Sequence, residues 1–291
     1  MGRKGRNGAP WVWALRSRAW DYVYAWRVGY IGKIKRLNKE FNMQVLHDMQ
    51  YASQAECKLD IYLPECEGYD TIIYFHGGGL TSGDKAEKHT VEVGTAFTKQ
   101  GYAFVSVNYR MYSSVKFPEY IEDCAEAIAW VKSHIQEYGA GGNIYISGSS
   151  AGGWLSLMLC LNKKYLERVG ISTNDIKGWI IDSAQTTSHF NVMKYELGCN
   201  PSLQRINEYA PLYYVDENTR FSKMLLLFYE NDMPCRPEQN HLFIKAIQAF
   251  NKDADIQYKQ LPGGHCHGSV HCDENGEYDF VKESVRWLRN V

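Results

Sequence analysis

The feature that most constrains this chain is a stretch in which a buried strand turns directly into a helix at a serine. Residues 143–147 have the β-branched and aromatic content of a strand, and apolar side chains recur at helical spacing over residues 151–161. Between them lies the pattern Gly148-x-Ser150-x-Gly152. So sharp a turn brings backbone segments close together, and a Cβ at either glycine would collide with them. The pattern therefore predicts a strained turn that projects the Ser150 hydroxyl from the carboxyl end of a sheet.

Two neighbouring serines, Ser147 and Ser149, are rivals for this position. Only Ser150 has a glycine two residues away on both sides. Ser149 is therefore predicted to be the variable residue of a nucleophile elbow, and Ser150 its reactive residue.

Strand-like and helix-like segments alternate along the rest of the chain. Strands are predicted at Met43–Tyr51, Lys58–Leu63, Thr71–Phe75, Ala103–Asn108, Asn143–Ser147, Gly178–Asp182, Met224–Tyr229 and Ile256–Leu261. Helices are predicted at Trp20–Phe41, Lys85–Lys99, Tyr120–Tyr138, Ala151–Leu161, Pro237–Phe250 and Tyr278–Leu288. This alternation predicts an α/β fold, in which helices cover both faces of a mostly parallel central sheet.

The chain is predicted to form one main domain, residues 42–291, preceded by a basic amphipathic helical segment, residues 1–41. Within the domain, residues 185–222 show no clear periodicity. Segments of this length without regular structure are usually functional. Residues 185–222 and the N-terminal helix are therefore predicted to form a small cap over the site.

The charge is unevenly distributed along the chain. A net charge of −1 creates no overall electrostatic field that would attract nucleic acid. Residues 1–40 hold ten Lys or Arg against Asp21 and Glu40, a net charge of +8, which leaves −9 on the remainder. We expect the apolar face of this helix to pack on the domain, or on a second copy of the chain in a homo-oligomer. Contact of residues 20–40 with an anionic membrane surface is the alternative.

Cysteine spacing and hydropathy bear on the cellular compartment. The eight cysteines are scattered, without a CxxC pair. No apolar run reaches the length of a membrane span, and none near the N-terminus resembles the core of a signal peptide. These observations predict a reduced, cytoplasmic protein.

A serine hydroxyl is a weak nucleophile until a base takes its proton, so Ser150 needs a histidine and a carboxylate that orients the histidine. In doubly wound hydrolases the acid follows the serine and the histidine comes last. Asp232 lies in the loop after the strand at 224–229 and is the predicted acid. Glu230 is the alternative acid, although it lies close to the end of the strand.

The base should follow the next strand, at 256–261. His265 comes after two glycines that let the loop bend back over the serine, and it is the predicted base. His267 has a similar reach and is the alternative.

The same loop also offers a metal-binding interpretation. Its potential ligands are His265, Cys266, His267, His271 and Cys272. Structural zinc sites normally draw paired ligands from two separate knuckles, and the sequence shows no second Cys/His pair. A zinc ion on His265 would also deprive Ser150 of its base. We therefore expect neither a metal nor a cofactor.

A glycine run, His76-Gly77-Gly78-Gly79, follows the predicted strand at 71–75. Attack on an ester carbonyl builds negative charge on oxygen, and hydrogen-bond donors must already face that oxygen. A strand followed by HGGG supplies such donors in lipases and esterases. The N–H groups of Gly77, Gly78 and Ala151 are predicted to form an oxyanion hole, while His76 holds the loop.

Several motifs together resemble those of the α/β-hydrolase superfamily. They are Leu59-Asp60-Ile61-Tyr62-Leu63-Pro64, Tyr74-Phe75-His76-Gly77-Gly78-Gly79, Val107-Asn108-Tyr109-Arg110, Gly148-Ser149-Ser150-Ala151-Gly152-Gly153, the Asp232 loop and Gly264-His265. The chain resembles the esterases and lipases that include hormone-sensitive-lipase-like and bacterial feruloyl- or acetyl-esterase-like enzymes. The resemblance implies the α/β-hydrolase fold and a serine esterase that needs no cofactor.

Two positions depart from the hormone-sensitive-lipase branch. That branch usually has Asp at the position of Ser149. It also commonly has a glycine-containing turn just before the acid, where this chain has Tyr229-Glu230-Asn231. Both departures favour the feruloyl- and acetyl-esterase-like relatives.

The sequence thus predicts a serine carboxylic-ester hydrolase for short-acyl esters, with acetyl or feruloyl groups on a carbohydrate as candidates. A serine peptidase of the same fold is one alternative, but such enzymes usually carry a large gating domain, for which this chain has little room. A non-catalytic binding protein is the other. Such relatives typically lose the serine or the histidine, and this chain has both.

Overall fold

An eight-stranded sheet organises residues 43–290, the part of the chain that the structure, a computed structural model, describes. The predictions for the N-terminal segment 1–41 lie outside the described residues. The strands are β1 (Gln44–Gln50), β2 (Lys58–Leu63), β3 (Tyr69–Phe75), β4 (Ala103–Val107), β5 (Ala140–Ser149), β6 (Gly178–Asp182), β7 (Met224–Asn231) and β8 (Ile256–Gly264). Their order in the sheet is β1-β2-β4-β3-β5-β6-β7-β8.

Pairing in this sheet is antiparallel at one end and parallel elsewhere. β2 pairs antiparallel with both β1 and β4. The pairs from β4 through β8 are all parallel. The predicted mostly parallel sheet is therefore confirmed, and its parallel strands all end at the same edge.

The helices of the described region alternate with the strands. They are α1 (Lys88–Lys99), α2 (Glu119–His134), α3 (Ala151–Leu161), α4 (Lys164–Arg168), α5 (Phe190–Tyr195), α6 (Arg236–Phe250), α7 (His267–Val270) and α8 (Asp279–Leu288). α4, α5 and α7 were not predicted, because helices of four to six residues are too short to show a periodicity. None of the helices in residues 43–290 is long and apolar enough to cross a membrane.

Side chains are buried on both faces of the sheet. Tyr74 of β3 contacts Phe104 of β4 and Phe280 of α8, with ring centroids 5.2 and 6.3 Å apart. Its neighbours Ile73 and Phe75 belong to a core cluster with apolar residues of α2 and α3. Since successive side chains of a strand point to opposite faces, helices cover both sides of β3. β4 and β6, which are buried along their whole length, consequently read as nearly continuous apolar runs, whereas the edge strands β1 and β8 are largely exposed.

One predicted helix begins later than its sequence pattern indicates. Apolar spacing predicted a start at Lys85, whereas α1 begins at Lys88. The Lys85 ammonium is buried and contacts Asp60 Oδ1 at 2.6 Å, and its backbone N–H donates to Asn108 Oδ1 over 2.6 Å. These contacts with residues distant in sequence hold Lys85 outside the helix.

Residues 183–189, called here the post-β6 segment, lead from β6 to α5 without a regular strand or helix. Residues 183–189 are all buried. The backbone N–H groups of Thr186 and Thr187 donate to Gln239 Oε1 of α6 over 2.8 and 3.2 Å. A side chain thus satisfies backbone groups that regular structure would otherwise satisfy. The interpretation of residues 185–222 as a cap stays a prediction.

Candidate active site

The turn between β5 and α3 has the strained geometry that its glycines predicted. Ser150 has φ 55° and ψ −114°, a conformation that side-chain-bearing residues rarely adopt. A Cβ on Gly148 would lie 2.4 Å from the carbonyl carbon and oxygen of Gly152. A Cβ on Gly152 would lie 1.9 Å from the carbonyl oxygen of Phe75 in β3. Only glycine fits at both positions, so the turn can pass this close to β3.

Three side chains from three strand ends form a hydrogen-bonded relay. His265 Nε2 lies 2.8 Å from Ser150 Oγ, and His265 Nδ1 lies 2.5 Å from Asp232 Oδ1. Because an ionised carboxylate only accepts, Nδ1 donates to Asp232 and Nε2 is left to accept from the serine. The His265 side chain is 28% exposed and that of Asp232 is fully buried.

The two alternatives to the predicted acid and base lie elsewhere. Glu230 is exposed at the end of β7. His267 begins α7, is exposed, and lies beside His271 with ring centroids 4.8 Å apart. No hydrogen bond in the described region joins either residue to Ser150. The geometry thus agrees with Asp232 and His265, whose catalytic roles stay predictions.

The environment of Asp232 favours its ionised form. Burial by itself raises the pKa of this carboxyl, but the hydrogen bond from His265 and the charge of that imidazole outweigh burial. The backbone N–H of Met233 also donates to Oδ1 over 2.6 Å. The pKa of Asp232 therefore lies below its ordinary value, and the side chain can orient the imidazole as an anion.

The glycine run after β3 lies against the elbow. A Cβ on Gly77 would be 3.3 Å from both Ser149 O and Ser150 Cβ, so the loop passes directly beside the serine. Gly78 has φ 102°, and a Cβ there would be 1.9 Å from Ser82 O. The N–H groups of Gly77 and Gly78 have no hydrogen-bond partner among the described residues. The first N–H groups of a helix, here that of Ala151, likewise lack intrahelical acceptors.

His76 holds this loop as a neutral side chain. Its ring is fully buried and stacks on Tyr109 with centroids 4.5 Å apart, and Nδ1 lies 2.7 Å from Gly77 O. Burial lowers the pKa of His76 to about 4. A Cβ on Gly83 would be 2.3 Å from Nδ1, so the loop closes tightly around the ring. These contacts fit the predicted structural role of His76.

The five potential metal ligands within residues 265–272 have different surroundings. His265 belongs to the relay and Cys266 is buried, whereas His267, His271 and Cys272 are exposed. Within residues 43–290, no group of three or more His, Cys, Asp or Glu side chains could hold a metal ion.

Sequence reasoning missed several polar residues beside the relay. Asp182, at the end of β6, is fully buried and accepts hydrogen bonds from hydroxyl groups. Asn191 of α5 donates from Nδ2 to Gly79 O over 2.6 Å and so contacts the glycine run. The position of Asp182 could have indicated it, because the carboxyl ends of parallel strands meet at the functional edge of an α/β sheet. Nothing in the local pattern indicated Asn191.

Comparison with known proteins identifies the family. A sequence profile of the BD-FAE family matches residues 59–247, which include the glycine run, the elbow and Asp232. The chain belongs to the BD-FAE family. Probable carboxylesterase 7 of Arabidopsis thaliana is 30% identical over 169 residues, which cover 50% of this chain and 54% of that protein. The chain spans from 20% to 54% of the length of the first curated relatives that it matches.

Solved structures confirm the fold of this BD-FAE chain. Esterase B from Lactobacillus rhamnosis superimposes with a TM-score of 0.69 at 16% identity and covers 95% of both chains. A truncated carbohydrate esterase from gut microbiota superimposes with a TM-score of 0.66 at 19% identity, over 85% of this chain and 95% of that one. The predicted α/β-hydrolase fold and the predicted relationship to carboxylic-ester hydrolases are both confirmed.

Proposed function

We propose that the protein is a serine carboxylic-ester hydrolase for small esters with a short acyl group, acetyl or feruloyl, on a carbohydrate alcohol. The observation that carries the proposal is the unbroken relay from Ser150 Oγ to His265 over 2.8 Å and from His265 to Asp232 over 2.5 Å. A nucleophile and a base within hydrogen-bond distance, with the base oriented by a third group, are the signature of covalent acyl transfer.

In the first half of the reaction, His265 Nε2 takes the proton of Ser150 as Oγ attacks the ester carbonyl. The resulting oxyanion accepts hydrogen bonds from the N–H groups of Gly77, Gly78 and Ala151. His265 then gives its proton to the leaving alcohol, the carbon–oxygen bond breaks, and an acyl group remains on Ser150. Asp232 stays ionised throughout and stabilises the imidazolium.

In the second half, water takes the place of the alcohol. His265 removes a proton from water as its oxygen attacks the acyl carbon. When the tetrahedral intermediate collapses, His265 returns the proton to Ser150 Oγ and the carboxylic acid leaves. Neither half of this reaction requires a redox step or a cofactor.

Two observations support a short acyl group and a carbohydrate alcohol. The ring of Phe190 lies beside the glycine run, at a distance of 3.2 Å from where a Cβ on Gly79 would be. The ring therefore restricts the space for an acyl group beside the glycine run. The superimposable carbohydrate esterase from gut microbiota provides the link to sugars.

A fluorophosphonate probe tests the reaction class. We expect the probe to label the wild-type protein on the peptide that contains Ser150. Ser150→Ala should remove both the labelling and the hydrolysis of p-nitrophenyl acetate, with a loss of at least about 10⁴-fold. His265→Ala should lose activity to a similar extent, whereas His267→Ala, the matched control, keeps most of it. An unlabelled, inactive wild-type protein would leave only a binding function.

A substrate series tests the acyl and alcohol groups. We expect turnover of p-nitrophenyl esters to fall from acetate to octanoate, because the space beside the glycine run is restricted. Acetylated sugars and methyl ferulate then separate the two proposed acyl groups. A maximum at octanoate would contradict the short-acyl proposal, and cleavage of peptide substrates in preference to esters would favour a peptidase.

A further inference from the structure

The end of β6 contacts each segment that carries a residue of the relay. The carbonyl oxygen of Asp182 accepts from the N–H of Ser150 over 2.8 Å. The hydroxyl of Ser183 accepts from the N–H of Cys266, the residue after the relay histidine, over 2.9 Å. The carbonyl oxygen of Ser183 accepts from Nη1 of the buried Arg236, which begins α6 just after the acid loop, over 2.5 Å. Asp182 and Ser183 thus join the elbow, the histidine loop and the acid loop.

The Asp182 side chain adds a second set of contacts. Its carboxylate is completely buried, and Oδ2 accepts from Ser149 Oγ over 2.7 Å and from Ser269 Oγ over 2.6 Å. Oδ1 accepts from Tyr229 OH over 2.9 Å, and the same hydroxyl accepts from the N–H of Gly268 over 3.0 Å. The carboxylate therefore connects Ser149, the residue before the nucleophile, directly with Ser269 of α7. Through the Tyr229 hydroxyl it also connects with Gly268 of the same helix.

This arrangement is unusual in its energetics. Burial raises the pKa of the Asp182 carboxyl above its ordinary value, and the hydroxyls of Ser269, Ser149 and Tyr229 reduce that rise without cancelling it. A buried carboxylate is costly unless donors satisfy it, and here all three neighbouring hydroxyls are placed to donate. None of the relay hydrogen bonds uses this side chain. A costly buried group with no part in the proton relay calls for a separate role.

We propose that Asp182 is a positioning residue, whose buried carboxylate holds the histidine loop, residues 265–270, in register with Ser150. The proposal rests on the esterase function proposed above, since it assigns to Asp182 the alignment of His265 with the serine. The reaction needs the base within hydrogen-bond distance of Oγ, and a displacement of about 1 Å can cost a hundredfold in rate. Loss of the carboxylate removes the shared acceptor that ties Ser269 of this loop to Ser149 beside the nucleophile.

The test compares Asp182→Asn with two smaller changes in the same network, Tyr229→Phe and Ser269→Ala. The control is Ser284→Ala, because Ser284 is also a buried serine but donates to Phe280 O within α8. Turnover of p-nitrophenyl acetate is measured per active site, titrated with the fluorophosphonate probe. This normalisation removes any unfolded fraction, so a purely structural role would leave kcat unchanged.

We expect Asp182→Asn to lower kcat per titrated site by about ten- to a hundredfold with little change in KM. Tyr229→Phe and Ser269→Ala should each lower kcat by about three- to tenfold, and less in the Asp182→Asn background, because coupled residues are not additive. Ser284→Ala should stay within about twofold of the wild type.

If Asp182→Asn keeps wild-type kcat per titrated site, the positioning role is wrong while the esterase function stands. If Asp182→Asn does not fold, the two smaller variants decide, and wild-type kcat in both overturns the proposal. An inactive, unlabelled wild-type protein would instead contradict the esterase function itself. These failures are therefore distinguishable.

Discussion

The nucleophile elbow and the post-β6 segment lie side by side at the same edge of the sheet, but different forces hold them. At the elbow, atoms approach so closely that a Cβ on Gly152 would lie 1.9 Å from a carbonyl oxygen of β3. In the post-β6 segment, side chains from other elements satisfy the backbone, as when Gln239 accepts from Thr186 and Thr187. Steric exclusion fixes the first region, and polar contacts fix the second.

The difference teaches where a sequence motif can be trusted. Where the backbone leaves no room for a Cβ, only glycine is possible. Such glycines therefore occur at a fixed spacing that the sequence shows directly. A polar contact can be made by several residue types from many positions, so it leaves no fixed spacing. The predictions below test this contrast, in order of decreasing effect.

The strongest test of steric exclusion is Gly152→Ala. We expect it to lower the free energy of unfolding by at least about 3 kcal/mol and to abolish esterase activity, because β3 and α3 must move apart. Gly170→Ala is the matched control, since Gly170 has φ +72° and, within residues 43–290, no atom lies within 4 Å of an added Cβ. It should cost about 1 to 2 kcal/mol, from backbone strain alone. Equal losses in urea denaturation would contradict steric exclusion at the elbow.

Each region also buries a histidine beside it, which gives a pH-dependent comparison. Burial lowers the pKa of His76 to about 4 and that of His189 to about 3, whereas an unfolded chain titrates near 6.5. Stability from these neutral rings is complete above pH 6.5 and is lost as the pH falls towards the folded pKa values. As the pH falls from 6.5 to 5, protonation of each histidine in the unfolded chain should lower the free energy of unfolding by about 1.4 kcal/mol per pH unit.

Replacing one of the two histidines isolates its contribution. In His189→Gln, we expect the pH slope of the unfolding free energy to be smaller than in the wild type by about 1.4 kcal/mol per pH unit. Urea denaturation at several pH values above 5 measures this slope, above the range in which most carboxyl groups titrate. Identical slopes would mean that His189 takes up its proton as readily in the folded protein as in the unfolded chain. Water would then reach this histidine in the post-β6 segment.

Gln239→Ala tests the polar attachment of the post-β6 segment. Removing the side chain leaves two buried backbone N–H groups without their acceptor, so we expect a loss of about 1.5 kcal/mol in the free energy of unfolding. Gln248→Ala on the exposed face of the same helix should change stability by less than about 0.5 kcal/mol. Equal stabilities for the two variants would show that other contacts hold the segment.

The smallest effect is expected beside the two regions, where α5, which follows the post-β6 segment, contacts the glycine run, which lies against the elbow. Asn191→Ala removes the donor to Gly79 O and frees the glycine run from α5. We expect kcat for p-nitrophenyl acetate to fall by about three- to tenfold at constant stability, because the oxyanion donors are less well placed. Asn200→Ala is the control, because Asn200 is an exposed asparagine that follows α5 in the chain. An unchanged kcat in Asn191→Ala would make this contact irrelevant to the glycine run.

The parts of the fold and site that the sequence predicted share one property: their cause lies within a few neighbouring residues. The elbow and the strands follow from local pattern, and Asp232 and His265 follow from that pattern together with the chain order of the acid and the histidine in doubly wound hydrolases. Lys85 was placed in a helix because its contact with Asp60, 25 residues away, is invisible in a local window. Asp182 was read only as the end of a strand, because its hydroxyl partners come from three separate segments.

The order of the strands along the chain has a consequence in time. Ser150 and His265 are separated by 115 residues, and β8, which precedes His265, is the last of the eight strands in chain order. During synthesis from the N-terminus, the elbow can form while its histidine is still inside the ribosome. Such a half-made sheet holds a serine without a base, which cannot attack esters. Labelling of Ser150 by the fluorophosphonate probe would then mark the moment when β8 has docked and His265 has reached the serine.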